Sequence, residues 1–225
     1  MKISRSPKIN LNDYYENGAS QTLVIKEYYL RMLDSIEKME WIPATFDGNY
    51  NKVPSWATEA TKGMNIDKST QESMLGKDSL KNCPGDLIGV LEEMLNDERV
   101  IGDISSVYKL RLDFVDLWDG VEELNWHWDG PSESEMISLI YFNEQNLSLD
   151  YGGSLEIGVR KIQPGKNWAK EYDSVNSVGI FPPSGRTQIW INNRNPKFVH
   201  KTKKLEDNNK PRVTLTFGVT FLPLI

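Results

Sequence analysis

The second half of this chain predicts a mainly β fold, a jelly-roll or related double-sheet barrel, with helices ahead of it. Three observations point there. From Ser106 onward the apolar residues fall in short or alternating runs, not at helical spacing. Turn-forming groups separate those runs: Asp129-Gly130-Pro131-Ser132, Tyr151-Gly152-Gly153, Pro164-Gly165, Pro182-Pro183-Ser184-Gly185 and Asn192-Asn193-Arg194-Asn195-Pro196. The runs number about eight, which is the strand count of a jelly roll.

The first hundred residues read differently. Ile25, Tyr29, Met32, Leu33 and Ile36 recur at helical spacing, with Glu27, Arg31, Glu37 and Lys38 mostly between them. Ser20 is the expected N-cap of this helix, and Pro43 closes the segment. A second helix is expected from Pro84 to Asp97, with Leu87, Leu91, Met94 and Leu95 on one face. Pro84 suits a first turn, where its missing N–H would have no partner anyway. Between the helices, residues 44–80 are rich in Gly, Asn, Ser and Thr. They read as a long surface connection or as an active-site lid, because structureless segments of that length in a compact domain usually serve a function.

From residue 106 the strands are expected near 107–115, 124–129, 136–142, 154–159, 178–181, 187–192, 197–202 and 212–221. The organisation that follows is an N-terminal helical region, 1–105, packed on a catalytic core, 106–225.

Length and composition set bounds. A chain of 225 residues fits one domain, or one core with an extension, and can bury a sizeable apolar core. Hydrophobic residues at 39% and charged residues at 26% are ordinary for a soluble globular protein. No run approaches the roughly 18 apolar residues of a membrane span. The start, Met1-Lys2-Ile3-Ser4-Arg5-Ser6-Pro7-Lys8, lacks the apolar stretch of a secretory signal. The single cysteine, Cys83, has no intrachain partner, so a cytoplasmic location is expected. Cys83 itself reads as a small half-buried residue beside a helix start. A net charge of −6 and a pI near 5.1 argue against nucleic acid as the main partner, because phosphate binding wants a basic face.

The chain has two histidines, and both fall on expected strands. His127 opens His127-Trp128-Asp129, and His200 closes Phe198-Val199-His200. Residues two apart on a strand share a face, so His127 and Asp129 point together while Trp126 and Trp128 point the other way. In Arg212-Val213-Thr214-Leu215-Thr216-Phe217, one face carries Arg212, Thr214 and Thr216, and the other carries Val213, Leu215 and Phe217. The plain alternative is a set of amphipathic strands with their polar side in water. A solvated face would draw on lysine and glutamate, which the chain uses freely elsewhere. Two imidazoles and one carboxylate instead match the three-ligand face of non-haem Fe(II) oxygenases. Arg212 on a barrel interior would need an anion, and a dicarboxylate suits its planar fork. Thr214, on the same face, would add a hydroxyl bond to that carboxylate.

The C-terminal half resembles the Fe(II)/2-oxoglutarate-dependent dioxygenases, particularly their prolyl-hydroxylase-like branch. The pieces that carry the resemblance are His127-Trp128-Asp129, Ile140-Tyr141-Phe142-Asn143, Gly152-Gly153-Ser154-Leu155, Phe181-Pro182, Arg194-Asn195-Pro196 leading to His200, and Arg212-Val213-Thr214. They agree in order and spacing over roughly residues 105–222. The resemblance implies a double-stranded β-helix core of the jelly-roll or cupin-like kind. It implies that His127, Asp129 and His200 bind Fe(II) and that Arg212 takes the distal carboxylate of 2-oxoglutarate. Tyr141 matches a tyrosine that helps hold the same carboxylate; read from its own strand it is equally a core aromatic. Asp113-Phe114-Val115-Asp116-Leu117-Trp118-Asp119 lacks the tyrosine-glycine pattern of many prolyl hydroxylases, which counts against proline as substrate. Asp129 counts against halogenation, since halogenating relatives leave that carboxylate out.

The expected function is therefore a hydroxylase. It would use Fe(II), O2 and 2-oxoglutarate, and act on an unidentified small molecule or protein side chain. The competing expectation is a cupin-like metal-binding or isomerase domain that activates no oxygen.

Overall fold

Antiparallel strand pairing dominates the architecture. The computed structural model describes residues 6–46, 49–58, 79–120, 123–129, 134–142, 152–161, 174–204 and 213–224. Eleven strands run through them: β1 Ala19–Leu23, β2 Trp41–Phe46, β3 Asn49–Pro54, β4 Tyr108–Gly120, β5 Leu124–His127, β6 Met136–Phe142, β7 Leu155–Arg160, β8 Val175–Phe181, β9 Thr187–Asn192, β10 Phe198–Thr202 and β11 Val213–Pro223. They form a seven-stranded sheet in the order β1-β9-β6-β11-β4-β3-β2 and a four-stranded sheet in the order β5-β10-β7-β8. From β4 to β11 the chain feeds the sheets in the order large, small, large, small, small, large, small, large. That sequence is the double-stranded β-helix, or jelly roll.

The helices are α1 Leu11–Glu16, α2 Lys26–Glu37, α3 Ser79–Asn82, α4 Gly85–Leu95 and α5 Glu98–Ile101. The apolar stripes of α2 and α4 cover the outer face of the large sheet. Met32, Leu87, Leu91 and Met94 pack there against Leu117, Ile140, Trp190, Leu215 and Phe217, and all nine side chains are fully buried. Trp190 keeps its indole N–H satisfied by donating to Thr22 Oγ1 at 3.0 Å. On the other side of the large sheet, Ile137, Tyr141, Ile189 and Ile191 meet Leu155, Ile157 and Phe181 of the small sheet. The centre of the large sheet is thus buried on both faces, and the space between the sheets is the barrel interior.

Strand parity sorts β11 as its sequence suggests. Leu215, Phe217 and Val219 enter the helix-covered core. Thr214 and Thr216 lie on the opposite, inner face, in register with Tyr141 and Leu139 of β6. The expected helix from Pro84 is α4, with Pro84 as its N-cap.

The N-terminal region departs from the expectation in two places. Ser20 does not cap a helix: it lies in β1, paired with Trp190 of β9, and its Oγ accepts the backbone N–H of Asn10 at 2.8 Å. The helix starts six residues later, with Ile25 as N-cap and no side-chain cap bond. Five residues with the polar run Ser20-Gln21-Thr22 carry too little apolar signal to be read as a strand alone; pairing with β9 decides it. Likewise Trp41–Phe46 and Asn49–Pro54 form a hairpin whose second strand pairs with β4 through Asn51 and Lys52. Residues 59–78, the bulk of the expected connection or lid, lie outside the described residues. No helix among the described residues is long and apolar enough to cross a membrane.

Candidate metal centre

β5 and β10 lie side by side in the small sheet, and their register sets His127 directly opposite His200. Asp129 follows β5 by two residues, so it shares the inward face of His127. The result is a three-group cluster. Asp129 Oδ1 lies 3.7 Å from His127 Nε2, and Asp129 Oδ2 lies 3.4 Å from His200 Nε2. The two imidazole rings are 4.1 Å apart between centroids, tilted by 59°. One ligand atom from each residue lies within 4.8 Å of the others, close enough for all three to hold one metal ion. Nitrogen, nitrogen and carboxylate oxygen suit a divalent first-row metal.

A hydrogen bond orients one imidazole, and burial keeps the other uncharged. His127 Nδ1 sits 2.7 Å from the Asn125 backbone carbonyl, which can only accept. Nδ1 therefore donates there, which leaves Nε2, the nitrogen nearer Asp129, as the one available to a metal. His200 is buried, and its pKa is lowered to about 4, chiefly by burial and further by His127, with Asp129 opposing. At neutral pH it is an uncharged imidazole, the form a metal requires.

The cluster faces the inner surface of the large sheet. Thr214 of β11 stands there between Trp118 of β4 and Tyr141 of β6. Its Oγ1 is buried and has no hydrogen-bond partner among the described residues. A buried hydroxyl without a partner carries a desolvation cost, which a bound acceptor would relieve. Tyr141 is 1% exposed and belongs to the barrel-interior cluster, so it is at least the core aromatic its strand suggested. Trp118 Nε1 donates to Asp116 on the same inner face. Arg212 lies outside the described residues. Cys83 is buried, its thiol pushed up to about 12 by burial, with Asp86 adding to the rise. It is no nucleophile at neutral pH.

Of the sequence-derived candidates, then, His127, Asp129 and His200 converge, and Thr214 and Tyr141 pair on the inner wall. The sequence reading missed the groups that hold β5. Trp128 donates from Nε1 to the Asn193 carbonyl at 2.9 Å, and the Arg160 guanidinium stands 5.9 Å from the centre of its ring. Backbone carbonyls leave no mark in a sequence, so the Asn125 and Asn193 contacts had no signal to find.

No family model matches the chain, and no curated protein matches it. Solved structures do overlap with it. An oxidoreductase of the 2OG-Fe(II) oxygenase family from Burkholderia pseudomallei is 11% identical, with a TM-score of 0.49 over 92% of this chain and 87% of that one. HygX from Streptomyces hygroscopicus, with nickel and 2-oxoglutarate bound, is 11% identical, with a TM-score of 0.47 over 92% and 85%. A prolyl hydroxylase from Trichoplax adhaerens, in complex with a hypoxia inducible factor peptide, is 12% identical, with a TM-score of 0.48 over 92% and 86%. The double-stranded β-helix rests on the strand order itself.

Proposed function

We propose that this chain is an Fe(II)- and 2-oxoglutarate-dependent dioxygenase that hydroxylates an unactivated C–H bond of a small molecule or of a protein side chain. One observation carries the reading: two imidazoles that face one another across two paired strands, and a carboxylate two residues beyond one of those strands, bring their ligand atoms within 4.8 Å on the inner face of a jelly roll. His127, Asp129 and His200 fit Fe(II) by donor type, and three protein ligands would leave coordination positions for cosubstrate and O2. When bound, the iron and 2-oxoglutarate would supply the oxidising chemistry, with O2 consumed and the cosubstrate decarboxylated to succinate.

The protein's own part is to bind, orient and exclude water. The sequence resemblance gives Arg212 to the distal carboxylate of 2-oxoglutarate. Thr214 Oγ1, buried and with no hydrogen-bond partner among the described residues, is a donor of the right kind two residues further along the chain. Tyr141, beside Thr214 in register, would complete that wall. His200 is buried while His127 and Asp129 stay partly exposed, so the cluster is walled on one side and reachable on the other.

The test is anaerobic loading with Fe(II) and 2-oxoglutarate, then admission of O2 with a panel of amino acids, peptides and small metabolites. The expected result is succinate formation that a true substrate stimulates and that Asp129→Ala abolishes. Arg212→Ala should raise the 2-oxoglutarate concentration needed for half-saturation at least tenfold; unchanged saturation would remove that assignment. A protein that binds metal yet never consumes 2-oxoglutarate would be the metal-binding or isomerase domain instead.

A further inference from the structure

β5 is a weak mount for His127 and, two residues past its end, Asp129. It is four residues long, and among the described residues it pairs with one strand alone, β10, through two aligned pairs with an irregularity between them. Short edge strands fray, and a ligand on a fraying strand binds metal poorly. Something other than the ladder must fix it.

The outer face of the small sheet supplies that something. Trp126 and Trp128 alternate with His127 and Asp129, so they point away from the cluster. Trp126 reaches across β10 to lie on Gly158 of β7. A methyl group at that glycine would collide with Val175 and come within 3.0 Å of Trp126 Cζ3, so the absence of a side chain there makes room for the indole. Lys201 Nζ sits 4.5 Å from the centre of the Trp126 ring and is itself held by Glu156 at 3.0 Å. Trp128 is bound at its Nε1 by the Asn193 carbonyl and faced by the guanidinium of Arg160. Arg160 is only 3% exposed, and its Nε donates to the Pro196 carbonyl at 2.7 Å. Each tryptophan is thus gripped by a cation that another contact has already fixed.

We infer that Trp126 and Trp128, with Gly158, Arg160 and Lys201, form an outer clamp that positions His127 and Asp129 for the metal. These are positioning residues: none belongs to the ligand cluster, and each acts through β5. The inference rests on the metal-centre reading, which it deepens by naming what holds the ligands in place.

The test is anaerobic Co(II) titration followed by the d–d absorption of the bound ion, with far-ultraviolet circular dichroism and melting temperature measured in EDTA. Trp128→Leu should weaken Co(II) binding ~10–100-fold, the range seen when groups that orient ligands are lost, and alter the d–d bands. Trp128→Phe keeps the ring and loses the N–H, and should fall between. If Trp128→Leu fails to fold, Arg160→Met and Arg160→Lys replace it. The first should lose Co(II) affinity, and the second should recover part of it. Folded variants with wild-type Co(II) affinity and spectrum overturn the clamp while leaving the metal centre standing. A wild-type protein that takes up no Co(II) overturns both.

Discussion

His200 shows how one buried side chain ties pH to both folding and metal capture. Its pKa of about 4 lies below the ordinary 6.5 that it regains in the unfolded chain. Between those values the unfolded state takes up a proton that the folded state refuses. The stability of the metal-free protein is therefore unaffected by His200 above about pH 6.5 and falls as the pH drops toward 4, by on the order of 3 kcal/mol. Urea midpoints in EDTA at pH 7.5 and 5 should show the loss, and His200→Gln should flatten it. Thr214 makes the opposite kind of prediction. Its buried hydroxyl has no partner among the described residues, so Thr214→Val should leave the melting temperature of the metal-free protein unchanged or slightly raised. If the hydroxyl meets the cosubstrate, the same change should raise the half-saturating 2-oxoglutarate concentration roughly fivefold, about one hydrogen bond. A lowered melting temperature with unaltered saturation would make Thr214 merely structural.

Among the elements, β11 and α4 carry the most legible sequence patterns, and both hold the site indirectly. β11 alternates helix-facing Leu215, Phe217 and Val219 with inner Thr214 and Thr216, because one face packs on helices and the other lines the barrel. α4 repeats Leu87, Leu91, Met94 and Leu95 because its stripe must lie on that same sheet. Leu91 is fully buried, so Leu91→Ala should cost ~2–5 kcal/mol, measured as the shift in urea unfolding. Metal affinity of the folded variant should stay within about twofold, since α4 touches the outer face and the ligands lie on the other sheet. The elements that were not legible are the edge pieces. β1 is polar in its middle and takes its identity from β9, and the β2–β3 hairpin takes its place from two pairs with β4. Strand propensity depends on the neighbour that a strand meets, and a short edge strand contains no record of that neighbour.

For the molecule as a whole, the sheets act as two plates with the ligands on one and the inner wall on the other. A metal that binds the folded chain and not the unfolded one must stabilise it by mass action. At about one hundred times its dissociation constant, Mn(II) or Co(II) should add ~3 kcal/mol. Differential scanning fluorimetry should show the rise for the wild type and not for Asp129→Ala. Equal rises in both would place the bound ion elsewhere.

The sequence by itself determined the ligand types, their shared face and the core strands, because period-two alternation and rare residues are local signals that survive without coordinates. His127, Asp129, Thr214 and the outward tryptophans were all assigned to faces by counting along the chain. Tertiary structure alone decided that β5 and β10 are neighbours, so that two imidazoles far apart in the chain oppose one another. It also decided that an Asn125 carbonyl selects the His127 tautomer and that burial keeps His200 uncharged. Register, backbone contacts and desolvation arise from what surrounds a residue, and a linear chain specifies those surroundings only once it has folded.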